Sequence, residues 1–296
     1  MKKIHFLVAP GIVLAVLSFL SVTLRAQSIT PINATKSHLI TSSFNHKVYE
    51  VWVSLPKHYT ETDTLHYSVL YVLDGKYSFK SMSSIREVMD LGKEIKEIII
   101  VSIDLQCAAE ADWLASRHND FTPSSIPQAD TLWSKLMNIP EGKLKSGGAE
   151  SFLNTLEKEV IPYIDSHYKT TADRGLSGHS LGGLFTGYCL LKRPTLFKRY
   201  GINSPSFWWN NREMMQEEAR FSNQNTELPA RVFFSIGGAE EAVMLSAFQA
   251  FTDSIKSRSL KDLSVTVKVF DGETHLSVVP SCNSRTLKVL YGSNVK

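Results

Sequence analysis

Apolar and polar positions alternate along this chain with two periods, and the order in which those periods succeed one another predicts its architecture. His46 to Leu55 (HKVYEVWVSL) alternates residue by residue, as an exposed-edge strand does. Tyr67 to Leu73 (YSVLYVL) and Ile98 to Ile103 (IIIVSI) are near-continuous apolar runs, the pattern of strands covered on both faces. Helical spacing marks Ser84 to Leu91 and Glu150 to His167, the latter with Phe152, Leu153, Leu156, Val160 and Ile164 on one side. A short strand around Gly175 to Ser177 precedes a helix at Leu184 to Lys192. Strands at Arg199–Ile202, Arg231–Ile236 and Ser264–Phe270 then alternate with helices at Arg212–Ala219, Glu241–Ser257 and Ser284–Val289. This alternation predicts an α/β fold with a mostly parallel central sheet and helices on both faces. Ala108 to Gly148 breaks the pattern, being rich in Pro, Ser, Asn and Gly with scattered Trp113, Phe121 and Trp133. It reads as a long ordered loop whose aromatics cover a pocket.

The N-terminus has a different character. Lys2 and Lys3 precede an apolar run from Ile4 to Leu24, followed by Arg25-Ala26-Gln27. A charged start, an apolar centre and a small residue at the end predict a signal peptide over residues 1–26, cleaved after Ala26. The mature protein is then expected in the periplasm or outside the cell, with a polar linker over 27–43 and one domain over 44–296. The 296 residues, 43% hydrophobic, suffice for one sizeable core. A net charge of +3 from dispersed Lys and Arg argues against a nucleic-acid partner. Past Gln27 no run is long and apolar enough to predict stable membrane insertion. The three cysteines, Cys107, Cys189 and Cys282, lack metal-ligand spacing and allow at most one disulfide.

The chemistry concentrates at Gly178-His179-Ser180-Leu181-Gly182, a G-x-S-x-G run between a strand and a helix. A serine hydroxyl is a weak nucleophile unless the backbone holds it exposed against a base, and a strand-to-helix elbow does that. In α/β sheets ligands bind beyond the carboxyl ends of strands, so the partners of Ser180 are sought just after other strands. His275, in Asp271-Gly272-Glu273-Thr274-His275, is the expected general base. Glu240 is the first choice for the carboxylate that orients it, with Glu241 next and Asp271 or Glu273 as further alternatives. The order nucleophile, acid, histidine is that of an α/β-hydrolase. His179 adjoins the nucleophile and is expected to point away from it. The oxyanion hole is assigned to the backbone N–H of Leu181 and to Gly75 or Lys76 in the loop after Tyr67–Leu73. No metal or organic cofactor is required by this chemistry.

Leu70–Gly75, Asn119–Pro123, Gly178–Gly183, Ser204–Trp209 and Glu273–His275 occur in that order, and with them the chain resembles the Putative esterase family of α/β-hydrolases. That family includes siderophore trilactone hydrolases, esterase D, feruloyl esterases and mycolyltransferases. The resemblance implies Ser180 as nucleophile, His275 as base and the Ile236–Glu240 stretch as source of the acid. It further implies Trp208 and Trp209 as pocket walls and Arg117 as a loop arginine near the substrate, a salt bridge to Asp120 being the alternative account of Arg117. The activity implied is hydrolysis of a siderophore-like or other polar ester. Feruloyl or acetyl glycan esters, acyl transfer by the same fold, and a non-catalytic exported binding module are the alternatives.

Overall fold

A computed structural model describes residues 35–62 and 64–293. The signal peptide, its cleavage point and the first half of the linker lie outside the described residues. Eight strands form one sheet in the order β1-β2-β4-β3-β5-β6-β7-β8. These are β1 (Thr35–Thr41), β2 (Val48–Ser54), β3 (Tyr67–Val72), β4 (Ile98–Leu105), β5 (Thr170–His179), β6 (Arg199–Asn203), β7 (Glu227–Gly237) and β8 (Lys261–Phe270). β1, β2 and β4 pair antiparallel, and the remaining neighbours pair parallel. β1 corrects the expectation of a plain linker over 27–43. Its residues are mostly exposed, so it lacks the apolar alternation that betrays a half-buried strand.

Strand periodicity explains the two cores. In β3 and the residue after it, Val69, Tyr71 and Leu73 face one apolar layer, while Leu70 and Val72 face the other. The second layer is closed by Phe79 and Met82 of α1 (Gly75–Leu91) and by Leu287, Leu290 and Tyr291 of α9 (Val279–Tyr291). On the first face lie α6 (Leu181–Lys192), α7 (Trp209–Gln224) and α8 (Ala242–Ser257). With them packs a long helix that runs from α4 (Ala149–Thr155) through a π-helical turn, Leu156–Val160, into α5 (Ile161–His167). Pro162 sits just after that turn and has no N–H for the ladder. Both faces of the central strands β3 and β4 are thus covered, which is why those two read as unbroken apolar runs, whereas the edge strand β8 stays partly exposed.

The long interruption is ordered as expected, but it is helical where its composition predicts a loop. It holds α2 (Glu110–Asp120) and α3 (Pro127–Leu136), separated by a short loop. Buried hydrogen bonds hold it down: His118 Nε2 meets Asp130 Oδ1 at 2.8 Å, and the Ser146 N–H donates to Asp130 Oδ2 at 3.1 Å. Among the described residues no helix is long and apolar enough to cross a membrane. All three cysteines are free, Cys189 and Cys282 buried and Cys107 exposed.

Candidate active site

β5 ends at His179 and α6 begins at Leu181, leaving Ser180 alone in the turn with φ 61° and ψ −119°. A positive φ is strained for a residue with a Cβ. Backbone bonds hold it: the Ser180 N–H donates to Asn203 O at 3.0 Å, and its carbonyl accepts from Leu184 at 2.9 Å and from Ser206 at 3.0 Å. Gly178 makes the turn sterically feasible, because a Cβ there would lie 2.3 Å from the Gly182 carbonyl oxygen. The Ser180 hydroxyl faces a cleft of about 630 Å³, with Ser206 Oγ as its described polar neighbour at 3.5 Å.

His275 lines the same cleft, and its Nδ1 lies 2.8 Å from Glu240 Oε2. Glu240 is buried, and its other oxygen accepts from Ser204 Oγ at 2.6 Å and from the Gly237 N–H at 3.0 Å. Burial by itself raises this carboxyl, but the bonds from His275, Ser204 and Gly237 outweigh it and hold its pKa below the ordinary value. The carboxylate is therefore ionised and pointed at the imidazole. The alternatives fall away: Glu241 and Asp271 are exposed, and Glu273 Oε2 accepts from Ser277 Oγ at 2.5 Å.

His179 does not simply point away. It lines the cleft with its ring centroid 4.6 Å from that of His275. Burial, then the neighbouring charges of His275 and Arg117, lower its pKa to about 3. A neutral ring beside His275 does not oppose a positive charge forming there.

Leu181 and Gly75 are the first residues of α6 and α1, so neither N–H has an acceptor within its helix. The two helix starts abut, since a Cβ on Gly182 would lie 3.1 Å from Asp74 Oδ2. Lys76 is a correction: its N–H donates to Asp104 Oδ2 at 2.6 Å and is not offered to the cleft. Arg117 lines the cleft, but its partner is Asp74, not Asp120. Its Nε and Nη2 donate to the two Asp74 oxygens at 2.5 and 3.0 Å, and Nη2 also reaches His179 O at 3.2 Å. Asp120 is taken by Lys47 at 2.6 Å and by Tyr49 at 2.9 Å. Arg117 thus ties the loop after β3 to the end of β5.

The paired tryptophans separate. Trp208 is half-buried and lines the cleft, its indole N–H directed at Met244 Sδ 2.9 Å away. Trp209 is 1% exposed and belongs to the core, edge-on to His118 at 5.4 Å; its assignment as a pocket wall is corrected. Among the described residues no group of His, Cys, Asp and Glu is arranged to hold a metal ion.

A sequence model of the family described as Putative esterase matches residues 41–276. The chain belongs to that esterase family. It is 28% identical over 268 residues to the Bacillus subtilis (strain 168) protein named ferri-bacillibactin esterase BesA, across 87% of this chain and 89% of that one. To the Escherichia coli O6:H1 protein named apo-salmochelin esterase it is 31% identical over 159 residues, 53% of this chain and 46% of the other. The crystal structure of the BES protein from Bacillus cereus superposes with a TM-score of 0.74 at 27% identity, covering 87% of this chain and 94% of that one. Esterase family and relatives together place the chain among carboxylic-ester hydrolases.

Some members of this esterase's cleft are not visible in its motifs. Tyr77 and Ser78 line the cleft because α1 starts at Gly75, nine residues ahead of the helix the sequence predicts. The polar stretch GKYSFKSMS conceals that start, and Asp74, in the left-handed region at φ 56°, marks it. Ser204, which holds Glu240, carries no signal beyond its place at the end of β6.

Proposed function

We propose that the protein is an exported serine esterase that cleaves siderophore-type or related polar esters through an acyl-enzyme on Ser180. The observation that carries this reading is the buried Glu240 carboxylate bonded to His275 Nδ1 at 2.8 Å, in the cleft that the elbow serine faces. With the Nδ1 proton held by Glu240, Nε2 of His275 is left as the free lone pair that accepts the Ser180 proton. Ser180 Oγ attacks the ester carbonyl as that proton moves, and the N–H groups of Leu181 and Gly75 receive the developing oxyanion. Collapse returns the proton from His275 to the departing alcohol and leaves an acyl ester on Oγ. Water, deprotonated by the same imidazole, then attacks the acyl carbon and releases acid and free serine. Ser180 Oγ lies 3.5 Å from Ser206 Oγ, and nucleophile–base hydrogen bonds tighten in the Michaelis complex.

The substrate class rests on relatives named ferri-bacillibactin esterase and apo-salmochelin esterase. Export rests on the leader read in residues 1–26, and an intact mass of the processed protein beginning at Gln27 checks it. For the mechanism, Ser180→Ala tests the assignment: it abolishes p-nitrophenyl acetate hydrolysis in a protein that folds normally. Retained turnover would remove Ser180 from the reaction.

A further inference from the structure

We propose that Asp104 is a positioning residue for the esterase reaction, its one carboxylate fixing both the turn that offers the Gly75 N–H to the oxyanion and the Trp113 wall of the cleft. This rests on the esterase reading above and adds a residue that none of the sequence motifs contains. Asp104 stands at the carboxyl end of β4, which pairs with β3, and so lies beside the turn Asp74-Gly75-Lys76 that opens α1. Its Oδ2 accepts the Lys76 N–H at 2.6 Å. Its Oδ1 accepts the Trp113 indole N–H at 2.5 Å and the Leu105 N–H at 3.1 Å. Burial raises this carboxyl to about 6, so at neutral pH and above it is ionised and can only accept.

The turn is braced on both sides of Gly75. Arg117 of α2 binds the two Asp74 oxygens before it, and Asp104 of β4 holds the Lys76 N–H after it. Gly75 itself rests on β4, since a Cβ there would lie 2.8 Å from Ser102 Oγ. Asp104 joins these supports, because its other oxygen holds Trp113, one helical turn ahead of Arg117 on α2. Trp113 is 6% exposed, lines the cleft and meets Tyr77 edge-on with ring centroids 5.2 Å apart. Gly75 is therefore the peptide between two anchors, and a misdirected Lys76 peptide misdirects an oxyanion donor whose worth depends on its aim. An asparagine at 104 has one acceptor and turns its NH₂ toward a donor in either orientation. With the oxygen toward Trp113 and Leu105 it serves two donors, so its NH₂ meets Lys76 and displaces the turn. Removing the indole N–H by Trp113→Phe weakens that pull and lets the oxygen return to Lys76.

The test measures p-nitrophenyl acetate kinetics for the parent, Asp104→Asn, Trp113→Phe and the double variant. Asp104→Asn is expected to lower kcat about 10–10²-fold with KM within about threefold of the parent, the split that a misplaced oxyanion donor gives. Measured against Trp113→Phe, the same substitution costs at least about threefold less, a rescue that a merely stabilising carboxylate does not produce. Proton NMR of the parent gives a second reading that stands even if the variants fail to fold. The Lys76 amide and Trp113 indole protons are expected downfield, as short bonds to a carboxylate require. Phenylboronic acid, which mimics the tetrahedral adduct on Ser180, then moves the Gly75 amide downfield and leaves Lys76 in place. Parental kcat in a folded Asp104→Asn protein, an equal cost in both backgrounds, or a Lys76 proton that moves onto the boronate would overturn the proposal. Failure of the serine mechanism reads differently: the parent itself then neither hydrolyses the ester nor binds the boronate, and the proposal falls with it.

Discussion

Replacing Glu240 by Gln changes one buried oxygen to an amide nitrogen and leaves the shape intact, which makes it the sharpest probe of the site. In the parent, Glu240 accepts three hydrogen bonds: His275 at 2.8 Å, Ser204 at 2.6 Å and Gly237 at 3.0 Å. A glutamine keeps one good acceptor. If its oxygen serves Ser204 and Gly237, its NH₂ faces His275 and forces the imidazole to carry its proton on Nε2. That nitrogen then cannot take a proton from Ser180. A hydrogen bond to a charged acceptor contributes about 1.5–3 kcal/mol, and the imidazolium of the transition state loses its counter-charge as well. Together these predict a fall in kcat of about 10³–10⁴ with p-nitrophenyl acetate, comparable to removing the orienting acid in other serine hydrolases. KM should change little, because the carboxylate touches the base and not the substrate. Glu241→Gln is the control, and it should not reproduce this loss with the neutral acetate ester. A folded Glu240→Gln protein with kcat within about threefold of the parent would refute the reasoning, leaving Ser180 and His275 to work as a pair.

Trp209→Ala should cost about 3–5 kcal/mol in urea unfolding, as expected for an indole truncated in a packed core, whereas Trp208→Ala should chiefly raise KM. Equal stability losses for the two would contradict the separation of wall from core. Arg117→Ala releases Asp74 and the carbonyl of His179 and should lower kcat by about 10–10²-fold, since it loosens the N–H groups around the oxyanion; an effect on KM alone would mean that it only binds substrate. His179, held down to about 3 against an ordinary 6.5, leaves the unfolded chain to take up a proton first as pH falls. Its contribution to stability is complete above about pH 6.5 and declines toward about pH 3, by at most about 1.4 kcal/mol per pH unit. His179→Gln should flatten that acid limb in urea midpoints. Asp104 and Asp90, each raised to about 6 chiefly by burial, act in the opposite sense over part of the range, so the difference between variant and parent is the quantity to read.

The sheet was legible because its central strands β3 and β4 are buried on both faces and carry near-continuous apolar runs, because the edge strand β8 alternates, and because Gly178-His179-Ser180-Leu181-Gly182 needs little context to be read as an elbow. Glu240 was legible from its position after β7, though neighbouring carboxylates compete for the role on sequence alone. Only the fold decides, by burying Glu240 and leaving Glu241 in water. What sequence missed shares one cause: apolar periodicity reports burial, and β1 and most of α2 and α3 bury little or bury polar groups, while the first turns of α1 bury Phe79 and Met82 as their only apolar side chains, among largely polar neighbours. Asp120, His118 and Asp130 are buried through hydrogen bonds, which leave no hydrophobic trace. Trp208 and Trp209 show the converse limit. Adjacent tryptophans look alike in a string of letters, yet the turn that precedes α7 sends one into the cleft and the other into the core.

The central claim is that Ser180 is a nucleophile primed by His275. Treating the pure protein with a fluorophosphonate and mapping the adduct by peptide mass spectrometry tests it most directly. The account predicts stoichiometric phosphonylation of Ser180 that disappears in Ser180→Ala and slows by orders of magnitude in His275→Ala. A folded parent protein that hydrolyses p-nitrophenyl acetate yet leaves Ser180 unlabelled would contradict it.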